Sequence, residues 1–369
     1  MKNIAYIANP NSVHDAKWIN AFAEKYNVIV ISSIYDINDN KLHHNIPIYA
    51  ILPRSFPFRN ILKRKKIQKE LKQLLKEEQI EIVHTMYAFP NSFWINLIEF
   101  KNHIITTRGS DILVDYKNLF KHQTIKEKII NHYFKKQFYN TFNKALYISS
   151  TSKKQQEIIK TFIANDSKLK LIRTGIDVSS IIKYETQLKK KKTDKIVLFS
   201  PRSMKPIYNI DIIIDAFYLF NKSNNSVLYI INDLPNSSYS KKILNKIKDL
   251  GIVNQCVILP KLSFKEMIEQ NVNSDLIISI PTTDGTPNTI LEAMALKKPI
   301  ITGPYELDKD IFSDLFYIDS LEPDILAIKI SEVLEMKLDS ILENNYDKVL
   351  LNASLQNSIL LVDKMYNSI

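Results

Sequence analysis

Two carboxylates eight residues apart, Asp284 and Glu292, bracket the segment Asp284-Gly285-Thr286-Pro287-Asn288-Thr289-Ile290-Leu291-Glu292. The preceding run, residues 275 to 280, is apolar enough for a short buried strand. Gly285 supplies a turn free of Cβ hindrance, Thr286 suits an N-cap and Pro287 the first helical position, so a helix is predicted to start near residue 287. Its unpaired N–H groups and positive dipole end would face the carboxyl edge of a sheet, where an anion such as a diphosphate is stabilised. On the plainer alternative this is only a well-capped helix that buries Ile290, Leu291 and Met294, with Glu292 favourable because it lies near the N-terminus.

A second group of charged residues follows another strand-like run, in Ser200-Pro201-Arg202-Ser203-Met204-Lys205. Arg202 and Lys205 there could hold a diphosphate through charge-assisted hydrogen bonds, which act most strongly on charge developing in a transition state. In the first half of the chain, Ser12 can cap a helix from whose first turn His14 would point, and His84 closes a strand read as residues 80 to 84. Arg108-Gly109-Ser110-Asp111 and Arg173-Thr174-Gly175-Ile176-Asp177 are the remaining polar landmarks, with Asp177 read as a turn carboxylate. Asp308-Lys309-Asp310 has the form of a metal-binding Asp-x-Asp, but it opens a helix and does not end a strand, so no metal and no cofactor are assigned.

These motifs resemble those of retaining GT-B glycosyltransferases of family four, the glycosyl transferases group 1, in which an acidic residue is followed eight positions later by Glu. The resemblance runs over almost the whole chain and is strongest in residues 200 to 303. It implies that Glu292 holds the ribose of a nucleotide sugar, while Asp284, Gly285, Thr286, Pro287, Asn288 and Thr289 contact the sugar and phosphates. It places Arg202 on the departing diphosphate. Lys205 stands near the place of a family Lys whose aligned position here is Tyr208. Arg108-Gly109-Ser110-Asp111 is similar to the family's His-Gly-x-Asp landmark with Arg for His, and His14, His84, Arg108 and Asp111 become candidates for the acceptor side. The implied fold is α/β: two Rossmann-like parallel-sheet domains facing a central cleft. The implied activity is transfer of a sugar from a nucleotide diphosphate donor to a glycan or lipid-linked hydroxyl acceptor, as in surface polysaccharide biosynthesis. An epimerase or hydrolase acting on a nucleotide sugar, and a non-catalytic anion-binding protein, are the rival readings.

The elements that must position these residues can be read from apolar spacing. Strand-like runs at 3–8, 27–32, 47–52, 80–84, 103–107 and 145–149, then 195–200, 226–232, 254–259, 274–280, 299–302 and 315–318, alternate with helical patterns, the signature of stacked βα units around parallel sheets. A chain of 369 residues exceeds what one core usually supports. The polar run Lys189-Lys190-Lys191-Lys192-Thr193-Asp194 is therefore read as the boundary between domains at 1–188 and 189–369, and a last helix at about 355–366 is expected to pack back on the first. Five glycines are too few for a glycine-rich phosphate loop. One cysteine, Cys256, excludes an intrachain disulfide.

No apolar run reaches the roughly 20 residues of a membrane helix, and the first residues lack a cleavage-site pattern, so the chain is expected in the cytoplasm. Charge is unequally shared. Residues 1 to 190 carry 31 Lys+Arg against 16 Asp+Glu, net +15, while residues 191 to 369 carry 19 against 23, net −4. Lys63-Arg64-Lys65-Lys66 on a helix-like stretch at 60–78, and Lys126, Lys128, Lys135 and Lys136 within 121–144, suit an anionic membrane surface. No nucleic-acid motif accompanies them, and a lysine-rich solvated face is the plainer alternative.

Overall fold

The structure, a computed structural model, describes residues 1–33, 39–121 and 124–369. The chain forms two compact units: Met1–Thr174 with Ser358–Ile369, and Gly175–Asn357. In the first, seven parallel strands run in the order β3-β2-β1-β4-β5-β6-β7. They are β1 (Asn3–Ile7), β2 (Asn27–Ile31), β3 (Ile48–Tyr49), β4 (Ile82–Met86), β5 (His103–Thr106), β6 (Tyr147–Ser150) and β7 (Leu169–Leu171). In the second, β8 (Ile196–Ser200), β9 (Ser226–Ile231), β10 (Cys256–Leu259), β11 (Leu276–Ser279), β12 (Ile300–Thr302) and β13 (Phe316–Tyr317) form a parallel sheet ordered β10-β9-β8-β11-β12-β13.

Helices cover both faces of each sheet, which is why the central strands are apolar on both sides. In β11, Leu276 and Ile278 join the core beneath the helix Ile210–Asn221, whereas Ile277 joins the opposite core with Ile290 and Met294 of the helix Asn288–Ala295. That alternation is the two-residue period of a strand. Ile4, Ala5, Tyr6 and Ile7 in β1 are likewise buried.

Every expected strand is present, several of them shorter than the apolar run that announces them. β7 is an addition. It has three residues, sits at a sheet edge and exposes Lys170 between Leu169 and Leu171, too brief an alternation to stand out among lysines. The division between the units falls at Thr174, not at the lysine run. Lys190 Nζ lies 2.8 Å from Asp275, and the Lys191 N–H donates to Asn273 Oδ1, so the run is a surface segment of the second unit. At the true division Gly175 has φ +71°, and a Cβ there would lie 2.8 Å from the Leu355 backbone. That approach lets Ile176 exchange hydrogen bonds with Ala353 and Leu355. The last helix, Leu355–Asn367, begins in the second unit and ends in the first.

Candidate functional site

Strand order fixes where a ligand can sit in the second unit. From β8 the chain moves outward through β9 to β10, then returns to β11 on the other side of β8. The crevice outside the carboxyl ends of β8 and β11 is therefore a switch point, the usual ligand position in open α/β sheets. The loop after β8 carries Arg202, and the loop after β11 carries Asp284.

These loops meet through a forked contact. Arg202 Nη2 is 2.9 Å from Asp284 Oδ2, and its Nη1 donates to Thr289 Oγ1 at 2.9 Å. The guanidinium lies 4.0 Å from the centroid of the Tyr208 ring. Only 11% of the Arg202 side chain remains exposed, so its hydrogen bonds work in a partly desolvated setting where they are strong. Asp284 Oδ1 also accepts the Gly285 N–H at 2.8 Å, which folds the turn that leads into the helix. Glu292 follows Thr289 by three residues on the same helical face and is half-buried.

The helix itself starts one residue later than expected. Pro287 holds the cap position with extended ψ (114°), Asn288 is the first helical residue, and no side chain caps the first turn, so Thr286 belongs to the loop. A proline disfavours helical backbone at the residue before it, which keeps Thr286 out of the helix. Lys205 takes no part in the forked contact. It precedes the short turn Pro206–Tyr208, is exposed, and its Nζ has no hydrogen-bond or ion-pair partner among the described residues.

Three supporting residues escape a sequence reading. Asp233, just beyond β9, accepts the Ser203 hydroxyl at 2.7 and 2.8 Å and the Met204 N–H at 3.2 Å, pinning the loop that carries Arg202. Tyr305 donates no signal of its own in sequence, yet it is close enough to Asp284 and Arg202 to feel both charges, and burial raises its pKa. Asn209, at φ +52°, donates to Ile280 O at 2.8 Å and ties the Tyr208 turn to the end of β11.

In the first unit the expected acceptor-side residues separate. His84 lies in the middle of β4 because the strand runs to Met86, and it is fully buried. Its Nδ1 is 2.5 Å from the Tyr366 hydroxyl and its Nε2 2.7 Å from Thr106 Oγ1. Burial holds its pKa down to about 3, and it is a core histidine that cannot meet an acceptor. Asp111 is buried too. It accepts the N–H groups of Ala88, Arg108, Gly109 and Ile112, and burial, opposed by those four donors, pushes its pKa up to about 6. It shapes the loop after β5.

Arg108 and His14 do come together at the carboxyl edge. Arg108 Nη2 lies 2.9 Å from Asp15 and 3.2 Å from the His14 carbonyl, with its guanidinium 5.3 Å from the Trp18 ring centroid. Asp15 in turn accepts the Asn9 N–H and caps nothing itself; Ser12 caps its helix, Val13–Ala23. The His14 side chain reaches solvent, yet partial burial, then Lys17 and Arg108, lower its pKa to about 4. Asp177 accepts from the Ser180 N–H and hydroxyl as a helix cap. Cys256 is buried and free. Among the described residues no group of three or more His, Cys, Asp or Glu is placed to hold a metal ion.

Residues 3–144 match the family model glycosyl transferase 4-like, and residues 180–348 match glycosyl transferases group 1. A comparison with curated protein sequences gives no match. Among solved structures, a glycosyltransferase from Rickettsia africae is 16% identical with a TM-score of 0.74, covering 100% of this chain and 98% of its own. Anabaena Alr3699/HepE in complex with UDP and glucose is 16% identical with a TM-score of 0.71 and full coverage of both chains. WaaG, a glycosyltransferase involved in lipopolysaccharide biosynthesis, is 14% identical with a TM-score of 0.68 over 97% of this chain and 98% of its own.

Proposed function

For this chain, a glycosyltransferase of the group 1 type with the GT-B fold, we propose transfer of a sugar from a nucleotide diphosphate donor to a hydroxyl acceptor, with retention of anomeric configuration. The observation that carries this reading is the Arg202 fork to Asp284 and Thr289 at the switch point between β8 and β11. A cation held there with little freedom is placed to take the charge of a departing diphosphate. In the transfer the bond between the sugar's anomeric carbon and the phosphate oxygen breaks, and the electron pair stays on the diphosphate. The acceptor oxygen bonds to the anomeric carbon on the face the diphosphate leaves, and its proton passes to the departing phosphate oxygen. Arg202 stabilises the growing negative charge, the N-terminus of the Asn288–Ala295 helix adds its dipole, and neither must reorganise as the charge develops.

Asp284 has a second part in this scheme. In the protein alone its carboxylate occupies the Arg202 fork; when the donor's diphosphate enters, Asp284 Oδ2 turns to the sugar hydroxyls. Glu292, one turn into the helix, holds the ribose. Because Arg202 supplies the positive charge, transfer is expected to survive chelation of divalent metals. The likeness to a structure with bound UDP makes uridine diphosphate sugars the first donors to test. The further reading is a glycan or lipid-linked acceptor used in surface polysaccharide synthesis, met at the cytoplasmic face of a membrane.

Incubation with a panel of nucleotide sugars and saccharide or lipid-linked acceptors, with the product anomer assigned by NMR, tests the proposal. A glycoside of unchanged anomeric configuration supports it. A product formed at the same rate without acceptor would instead mark hydrolysis or epimerisation.

A further inference from the structure

The basic stretches of the first unit converge on one surface, and that surface is not only basic. The helix Ile61–Glu77 opens at the Asn60 cap and the helix Ile125–Lys144 at the Thr124 cap. Arg64 joins them: its Nη1 donates to the Tyr133 hydroxyl at 2.8 Å, and Phe58 packs on the Tyr133 ring at 4.9 Å between centroids. Ile129 and Ile125 stand one and two turns before Tyr133 on the same helical stripe, and Ile61 one turn before Arg64.

These residues point outward. Leu62 is 81% exposed, Ile125 82%, Ile129 62% and Ile61 57%. Around them stand Lys63, Arg64, Lys65 and Lys66 on one helix and Lys126 and Lys128 on the other. Glu127 is the acidic residue between the last two, and its carboxylate accepts the Thr124 N–H in a capping box. Residues 122 and 123 of the basic stretch 121–144 lie outside the described residues.

We propose that this surface docks the protein on an anionic lipid bilayer, with Ile61, Leu62, Ile125 and Ile129 entering the headgroup region while the surrounding cations meet lipid phosphates. Charge alone would suit any polyanion. Large aliphatic side chains at the tips of two helices, ringed by Lys and Arg, suit an interface that is apolar just beneath its charges. Two helix N-termini at the same surface add positive potential there. The proposal deepens the membrane part of the functional reading. The residues of this surface belong to the first unit and those of the donor site to the second.

Vesicle co-sedimentation at low salt tests it, using phosphatidylcholine alone and phosphatidylcholine mixed with phosphatidylglycerol. The full chain is expected to bind the mixed vesicles and not the neutral ones. Replacing Lys63, Lys65, Lys66 and Lys126 by Gln should release it. Replacing Ile61, Leu62, Ile125 and Ile129 by Ser leaves every charge in place and should still cost roughly tenfold or more in vesicle affinity. A Leu62→Cys variant labelled with an environment-sensitive dye should show an apolar shift on mixed vesicles, the native Cys256 being buried.

Equal binding to both vesicle types, no binding at low salt, or a serine variant that binds as tightly as the original would each overturn the proposal. The last outcome would mark a surface for polyanions in general. Thermal stabilisation by a nucleotide sugar, measured on the same variants, should be unchanged. Its absence in the unaltered protein would count against the donor reading and leave the membrane proposal to be judged on vesicles.

Discussion

Arg202 makes three contacts, to Asp284, Thr289 and the Tyr208 ring, and each restrains a different motion of the guanidinium. Arg202→Ala is therefore expected to lower turnover by about 10² to 10³, the scale seen when one preorganised donor is removed from developing negative charge. Lys205→Ala should do less, since Lys205 is exposed and lies outside the fork. Steady-state kinetics on both variants checks the order. Tyr208 stands where the family resemblance implies a Lys, and in this chain its ring backs the guanidinium. Tyr208→Phe should keep nearly full activity, and Tyr208→Leu should lose about the worth of one partly buried cation–π contact, on the order of 1 to 2 kcal/mol in kcat/KM. If Phe proves as poor as Leu, the hydroxyl matters and the stacking account is wrong. At this scale the positions of Arg202 and Asp284 on the loops after β8 and β11 were legible, because distance from a strand end is a local matter. Asp233 and Tyr305 were not, because their roles depend on loops far apart in sequence.

Among the elements, the loop after β5 is held by one buried carboxylate. Asp111 accepts four backbone N–H groups, so Asp111→Ala would strand donors that water cannot reach. A loss on the order of 3 to 5 kcal/mol in urea unfolding is expected. A loss below 1 kcal/mol would mean that water replaces the carboxylate. The strands could be read from sequence because the central ones are apolar on both faces and are bounded by polar turns. β7 could not, since three residues with one exposed lysine carry almost no period. His84 misled for a related reason. Reading β4 as ending there, and not at Met86, turned a mid-strand core residue into one at the strand's open end. The start of the Asn288 helix slipped by a residue because Pro287 suits both the cap and the first turn.

For the molecule as a whole, the misplaced boundary has a physical cause. A lysine run looks like a linker when its partners are unknown, and here Asp275 and Glu269 hold it to the second unit. Two buried histidines, with His14 acting in the same direction and Asp111 opposing them, shape the response to acid. Burial lowers the pKa of both His84 and His103 to about 3, whereas an unfolded chain binds their protons near 6.5. Below that value the unfolded state holds more protons than the folded one. Stability is thus complete above about pH 6.5 and falls as the pH drops toward 3, by up to about 1.4 kcal/mol per pH unit for each histidine. Unfolding midpoints across that window should show the slope, and a flat profile would contradict the burial of these rings. The central claim is that Arg202, Asp284 and Glu292 form a nucleotide-sugar site, and ligand-dependent thermal unfolding tests it most directly. Sugars of UDP, GDP, ADP and dTDP would be screened against the unaltered protein, Arg202→Ala and Glu292→Ala. One donor is expected to stabilise the unaltered protein, by about 2.7 kcal/mol at 100 times its dissociation constant, and to lose most of that effect in both variants, while the unliganded stability of Glu292→Ala stays within about 1 kcal/mol of the original. No stabilisation by any of these donors, or the same stabilisation in all three proteins, would contradict the account.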